Sequence, residues 1–238
     1  MVFTVGIAGI TGKFARLIAK RLPDKPDGLI CGYCGCDVVV CCYPGDDTHM
    51  TQGQKLLIDA CEEQGLVKEH PDVKSKIQGV HALIGTFMDT FWNPWSQILR
   101  PEERTLRYWG TGDEIWESTP YTNAADFVAE VVMDQQATGM QKFLGDRKSI
   151  RQIADAFQDA YNERPQLECL GSLDELYKIM HAKREEDLQN KAPYIPLQTH
   201  LGVDMNTLPY PGLKRVTFND FLRTHGIDYL AGAAKALA

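Results

Sequence analysis

Long apolar runs are missing from this 238-residue sequence: none approaches the roughly 20 residues a membrane-spanning helix needs, so no membrane partner is expected. A positive charge excess is missing too. Twenty-five lysines and arginines stand against 32 aspartates and glutamates, a net charge of −7, and the basic residues are spread along the chain. That excludes the electrostatic footprint of a direct nucleic-acid binder. No cleavable leader pattern precedes the first apolar stretch, and the seven cysteines ask for no disulfides, so the chain reads as cytosolic. Cys31-x-x-Cys34-x-Cys36 has half the spacing of a zinc site, but no second half of His or Cys follows it. These thiols read as small hydrophobes, and no metal is expected.

What is present concentrates in the first twenty residues. Residues 2–7 form an apolar run, Gly6, Gly9 and Gly12 stand three apart, and Phe14, Leu17, Ile18 and Leu22 follow at helical spacing. The pattern is a strand, a tight turn and a helix. Glycines let the backbone turn sharply and approach a pyrophosphate, and the start of the next helix directs N–H groups to the same place. Gly6, Gly9, Ile10, Thr11, Gly12, Lys13 and Phe14 are therefore the candidate cofactor-binding residues, with Thr11 adding a hydroxyl and Lys13 a cation. A hydrophobic content of 44% supplies a core for one large domain, or one domain with a smaller appendage.

A second strand is expected over residues 29–34, and the apolar residues 38–42 read as a third. Only Gly35 and Cys36 lie between their ends and Asp37, whereas parallel strands need a crossover of a dozen or more residues. Both runs are apolar on both faces, the mark of a central parallel sheet, so a segment is expected to be absent near residues 34–35. A second gap is expected near 66–67, where a charged stretch replaces the next strand. A turn over 43–47 follows the third strand at the rim where doubly wound sheets bind ligands. A helix over 50–63 should turn Leu56, Leu57 and Ala60 inward, and a strand over 80–84 should pack or hydrogen-bond His81.

Phe87, Met88, Phe91, Trp92 and Trp95 follow that strand; they are a substrate wall or core. Leu106 to Trp109 and Ile115 to Glu117, joined by Gly110 to Asp113, read as a β-hairpin. Thr122 or Asn123 should cap a helix over 124–134. Ser149, Ser172 with Glu175, and Thr217 should cap three later helices, with a strand over 167–170 between the first two. Residues 191–214 carry Pro193, Pro196, Pro209 and Pro211, and read as a lid or a surface segment.

Taken together, the motifs Gly6-Ile-Ala-Gly9-Ile-Thr-Gly12-Lys-Phe14, Cys41-Cys-Tyr-Pro-Gly-Asp46, Gly79-Val-His-Ala-Leu83, Tyr108-Trp-Gly-Thr-Gly-Asp113, Gly145-Asp-Arg-Lys-Ser149 and Gly171-Ser-Leu-Asp-Glu-Leu176 resemble the NmrA-like and isoflavone-reductase-like branch of the atypical short-chain dehydrogenases, fungal members especially. The resemblance runs nearly the full length. It implies an α/β chain with a Rossmann-type doubly wound parallel sheet over residues 1–104, binding NADPH or NADP, with NAD open as well. Residues 105–238 would be partly Rossmann-associated and partly a smaller α+β cap that closes over the substrate.

Tyr33, Tyr43, Pro44 and Gly45 match the family positions beside the cofactor. Gly35 stands where family members carry an arginine for the 2′-phosphate. Lys68 is the nearest match to the family's catalytic lysine, with Lys74 behind it, and His200 joins the aromatics on the substrate side. The implied function is an NAD(P)H-dependent reductase of a small aromatic or polyketide-like molecule. A non-enzymatic redox-sensing regulator with a protein partner, and a non-redox isomerase or cyclase, stand as alternatives. A homodimer is compatible with each.

Overall fold

Strand β1, Val5–Ala8, and strand β2, Val38–Cys41, lie side by side in parallel, with Val5 opposite Val38 and Ala8 opposite Cys41. The chain is a computed structural model that describes residues 4–22, 36–42, 52–63, 77–92, 96, 98–190 and 210–232. The parallel pairing is what the unbroken Val38-Val39-Val40 run predicts, since a valine stretch apolar on both faces suits a covered parallel sheet. Backbone bonds from Asp37 to Thr4 and from Cys42 to Ala8 extend the pair at both ends. The expected strand over 29–34 and the suspected gaps near 34–35 and 66–67 lie outside the described residues.

Contacts divide the chain into two units. The first comprises Met1–Leu83, Ala124–Lys142 and Pro209–Leu213. The units interleave along the sequence. In the first unit, helix α1, Lys13–Ala19, buries Ala15 and Ile18. Its last turn is followed by Arg21, which pairs with Asp126. Helix α2, Gln54–Glu63, turns Leu57 and Ala60 partly inward and buries Cys61, while Leu56 is 67% exposed. The inward face is thus centred one position later than the spacing predicts: residues 57, 60 and 61 share a face from which residue 56 is rotated by about 100°. Strand β3, Val80–Leu83, pairs in parallel with β8, Gly139–Lys142, and leaves His81 exposed rather than packed.

The second unit comprises Ile84–Asn123, Phe143–Leu208 and Lys214–Ala238. It holds two three-stranded sheets. In one, β4, Thr86–Phe87, runs parallel to β7, Ile115–Thr119, which runs antiparallel to β9, Asp146–Ser149. In the other, β6, Thr105–Tyr108, pairs antiparallel with β5, Leu99–Arg100, and parallel with β10, Gln166–Cys169. The expected hairpin is therefore not formed, because β6 and β7 belong to different sheets. The connecting loop explains this. Gly110 and Gly112 adopt φ of 93° and 85°, and the Glu114 carboxylate accepts both the Thr111 and Gly112 N–H groups at 2.8 Å. The loop is wound round its own carboxylate instead of closing a two-stranded turn.

Helix α4, Tyr121–Met133, starts before the expected cap. Its first N–H, on Tyr121, is taken by the distant Asp89 carboxylate, and the Asn123 side chain instead binds Lys214 and Val216 backbone groups. The other caps form as predicted. Ser149 and Gln152 make a capping box on α5, Ile150–Tyr161, and Thr217 and Asp220 make one on α7, Phe218–Thr224. Ser172 and Glu175 bond reciprocally at the start of α6, Leu173–Asn190. Helices α3, Met88–Phe91, and α8, Ile227–Gly232, are the other described helices of the unit. Its core gathers Met88, Phe91, Trp92, Leu106, Ile153, Phe157, Phe218 and Phe221. Among the described residues no helix is long and apolar enough to cross a membrane.

Candidate functional site

The glycine turn sits at the carboxyl end of β1. Gly9 has φ of 84°, a conformation that only glycine adopts without strain, and its carbonyl accepts the Gly12 N–H at 2.9 Å. That bond closes the turn and commits the Gly12 amide to it. Gly12 is then the N-cap of α1 in extended conformation, with no side-chain cap and no acidic residue in the helix's first turn. A Cβ at Gly12 would stand 3.2 Å from the Gly9 carbonyl oxygen. Ile10, Thr11 and Lys13 are exposed around this opening, while Gly6 and Phe14 are half-buried beneath it.

The resulting electrostatics favour an anion. The first turn of α1 holds no acidic residue, and Lys13 brings a positive charge to its start. The residues therefore fit a diphosphate. The neighbouring strand ends at the same edge, since Cys42 donates its N–H to Ala8 at 3.0 Å. Burial, and then the nearby Cys41, push the Cys42 thiol up to about 11, so at neutral pH it is a neutral neighbour and not a nucleophile.

Tyr33, Tyr43, Pro44, Gly45, Lys68, Lys74, Trp95 and His200 lie outside the described residues. Met88, Phe91 and Trp92 do not form a wall: they are buried in the second unit, where Phe91 meets Trp92, Trp116 and Phe218 edge-on at 4.8, 5.1 and 5.6 Å. Their spacing of three and four residues places them on one helical face, and that face is core. Phe87, unlike Met88, Phe91 and Trp92, stays half-buried and stacks on Tyr121.

A pocket of about 410 Å³ opens at the carboxyl ends of β6 and β10, between the Gly110–Glu114 loop and the start of α6. Its polar groups are already committed. Glu114 holds the loop amides, Glu175 caps α6, and the Cys169 thiol leans on the Gly110 carbonyl at 3.4 Å. A residue that the sequence reading passed over is Asp89, a buried carboxylate directly after β4. Its signal was a lone charge inside the apolar run from Phe87 to Trp92.

The parallel pairs, the crossover helices and the glycine turn define an α/β chain with the Rossmann-type fold. Solved structures share it at low identity. Isoflavone reductase aligns at 13% identity with a TM-score of 0.64, covering 94% of this chain and 99% of that one. RMD from Pseudomonas aeruginosa complexed with NADPH aligns at 11% and 0.57, covering 99% and 100%. Triphenylmethane reductase of Citrobacter sp. complexed with NADP(H) aligns at 10% and 0.55, covering 99% and 91%. Identities this low establish the fold alone. No protein-family model matches the chain, and no curated protein matches its sequence.

Proposed function

We propose that this chain is an NAD(P)H-dependent reductase of the isoflavone-reductase-like, fungal-type branch, acting on a small aromatic or polyketide-like molecule. The Gly9–Gly12 turn carries the reading: a left-handed glycine and a glycine N-cap, with no acidic residue in the first turn of the helix, at the carboxyl end of a parallel strand. The three solved structures named above support it. Each is a reductase by name or is complexed with NADP(H) or NADPH.

The bound nicotinamide supplies the hydride, and the protein's task is to hold and polarise. Gly9 and Gly12 shape the backbone that the diphosphate approaches, and Lys13 adds the counter-charge. Thr11 offers a hydroxyl on the same rim. Lys68, by its match to the family lysine, donates the proton to the oxygen that gains negative charge as the acceptor is reduced.

Calorimetric titration of the full chain with NADPH, NADP, NADH and NAD tests the reading, followed by NADPH consumption with aromatic carbonyl acceptors. Saturable binding of one reduced–oxidised pair, with turnover lost in Lys68→Ala, is the expected result. Negligible binding of all four removes the reductase.

A further inference from the structure

The cavity of about 410 Å³ in the second unit lies where the parallel strands β6 and β10 end and α6 begins. Its volume falls in the range of small-molecule sites, roughly 300–1,000 Å³, and the carboxyl ends of parallel strands are where such sites form. Its walls are of two kinds. One is apolar: Leu173 leaves 39% of its surface exposed, and the exposed Cys169 thiol spends its proton on the Gly110 carbonyl at 3.4 Å. The other is acidic. Glu114 and Asp174 line the cavity, and none of its lining residues is a lysine, an arginine or a histidine.

The charge on the acidic wall is fixed in place. The Glu114 carboxylate accepts the Thr111 and Gly112 N–H groups at 2.8 Å and the Thr111 hydroxyl at 3.1 Å. Burial raises the pKa of this carboxyl, but the hydrogen bonds outweigh it and hold the group below its ordinary 4.5, so it is anionic at neutral pH. Three donors fill three of the roughly four lone-pair positions of a carboxylate, and one is left for a ligand. Asp174, exposed in the first turn of α6, takes part in none of these bonds. Arg151 donates to the Thr111 carbonyl at 2.7 Å on the same loop, but Asp113 matches its charge. The start of α6 contributes only about half a positive charge. The lining is therefore net negative, and a cation gains there what an anion would lose.

We propose that this cavity binds a small organic cation, a primary ammonium group on an apolar body. The ammonium group meets the Glu114 and Asp174 carboxylates, and the body lies against Leu173 and Cys169. Such a site goes beyond the reductase and does not depend on it, since the glycine turn belongs to the first unit.

Cys169 itself reports occupancy. The full chain is alkylated with iodoacetamide at neutral pH, with benzylammonium or benzyl alcohol present, and the rates at Cys169 and at the exposed Cys41 of the first unit are followed by peptide mass spectrometry. The two compounds share a ring and differ in charge. Benzylammonium should slow the reaction at Cys169 saturably, at about fivefold lower concentration than benzyl alcohol, and leave Cys41 unaffected. Raising salt from about 0.05 M to about 0.5 M should weaken benzylammonium alone. Asp174→Asn should at least halve its advantage while the unfolding temperature stays within about 3 °C of wild type. No protection of Cys169 up to about 10 mM benzylammonium, equal protection by both compounds, parallel protection of Cys41, or an advantage untouched by salt and by Asp174→Asn overturns the proposal.

Discussion

Replacing Gly12 by alanine separates the two jobs a glycine does in the turn after β1. At Gly12 the backbone is extended, with φ of −71° and ψ of 150°, so alanine adopts it without strain. Exchanging glycine for alanine at an N-cap costs about 0.5–1 kcal/mol, and stiffening the unfolded chain returns about 0.4–1 kcal/mol. The new methyl would stand 3.2 Å from the Gly9 carbonyl, close enough to ask that oxygen to give by a few tenths of an ångström. The net change in stability is within about 1 kcal/mol, an unfolding temperature shifted by at most about 4 °C.

Cofactor affinity should respond differently, because the same methyl occupies the side from which a diphosphate reaches the backbone. NADPH binding by calorimetry is expected to fall at least tenfold, about 1.4 kcal/mol. Gly9→Ala is the control with the opposite balance. Its φ of 84° imposes about 1–2 kcal/mol of left-handed strain, which lowers the unfolding temperature by about 2–8 °C. A Gly12→Ala protein that melts like wild type and binds NADPH like wild type refutes the placement of the diphosphate at this turn.

Two further outcomes concern the second unit. Gly85, with φ of 70°, leaves no room for a side chain: a Cβ would lie 2.3 Å from the Glu117 carbonyl oxygen and 2.9 Å from Leu144. Left-handed strain and overpacking together cost about 2–5 kcal/mol, so Gly85→Ala should lower the melting temperature by at least about 4 °C in a circular-dichroism melt, and a smaller shift contradicts the clash. Hydrogen bonding by Thr217, side chain first and backbone second, holds the Asp220 carboxyl below its ordinary 3.8. A carboxyl lowered in the folded state adds stability that is complete above the unfolded value and drains away as pH falls through the folded one. The urea midpoint should therefore drop less between about pH 6 and about pH 3 in Asp220→Asn than in wild type, and equal drops rule out this contribution.

The capping boxes at Ser149, Ser172 and Thr217 could be read from sequence because both partners lie within four residues of each other. The β1 turn was legible for the same reason: its glycines, its strand and its helix are one continuous stretch. Partner choice was not. Leu106 to Trp109 and Ile115 to Glu117 are each strand-forming, and a glycine-rich link of hairpin length stands between them, yet Glu114 folds that link onto its carboxylate and each strand joins a different sheet. Local pattern specifies that a strand exists; only burial against distant residues specifies its neighbour.

The start of α4 shows the same limit. Thr122 and Asn123 are good local caps, but Asp89, thirty-two residues earlier, takes the Tyr121 amide. A carboxylate between Met88 and Phe91 is costly to bury unless a donor meets it, and the Tyr121 N–H at the start of α4 does so. Which of these aromatics become core follows from the same placement. With Asp89 held toward the start of α4, the helical turn of α3 carries the mean direction of Met88, Phe91 and Trp92 about 100° away from it, into the core, and Phe87 stacks on Tyr121. The one charge in an apolar run thus decides which of its neighbours become core.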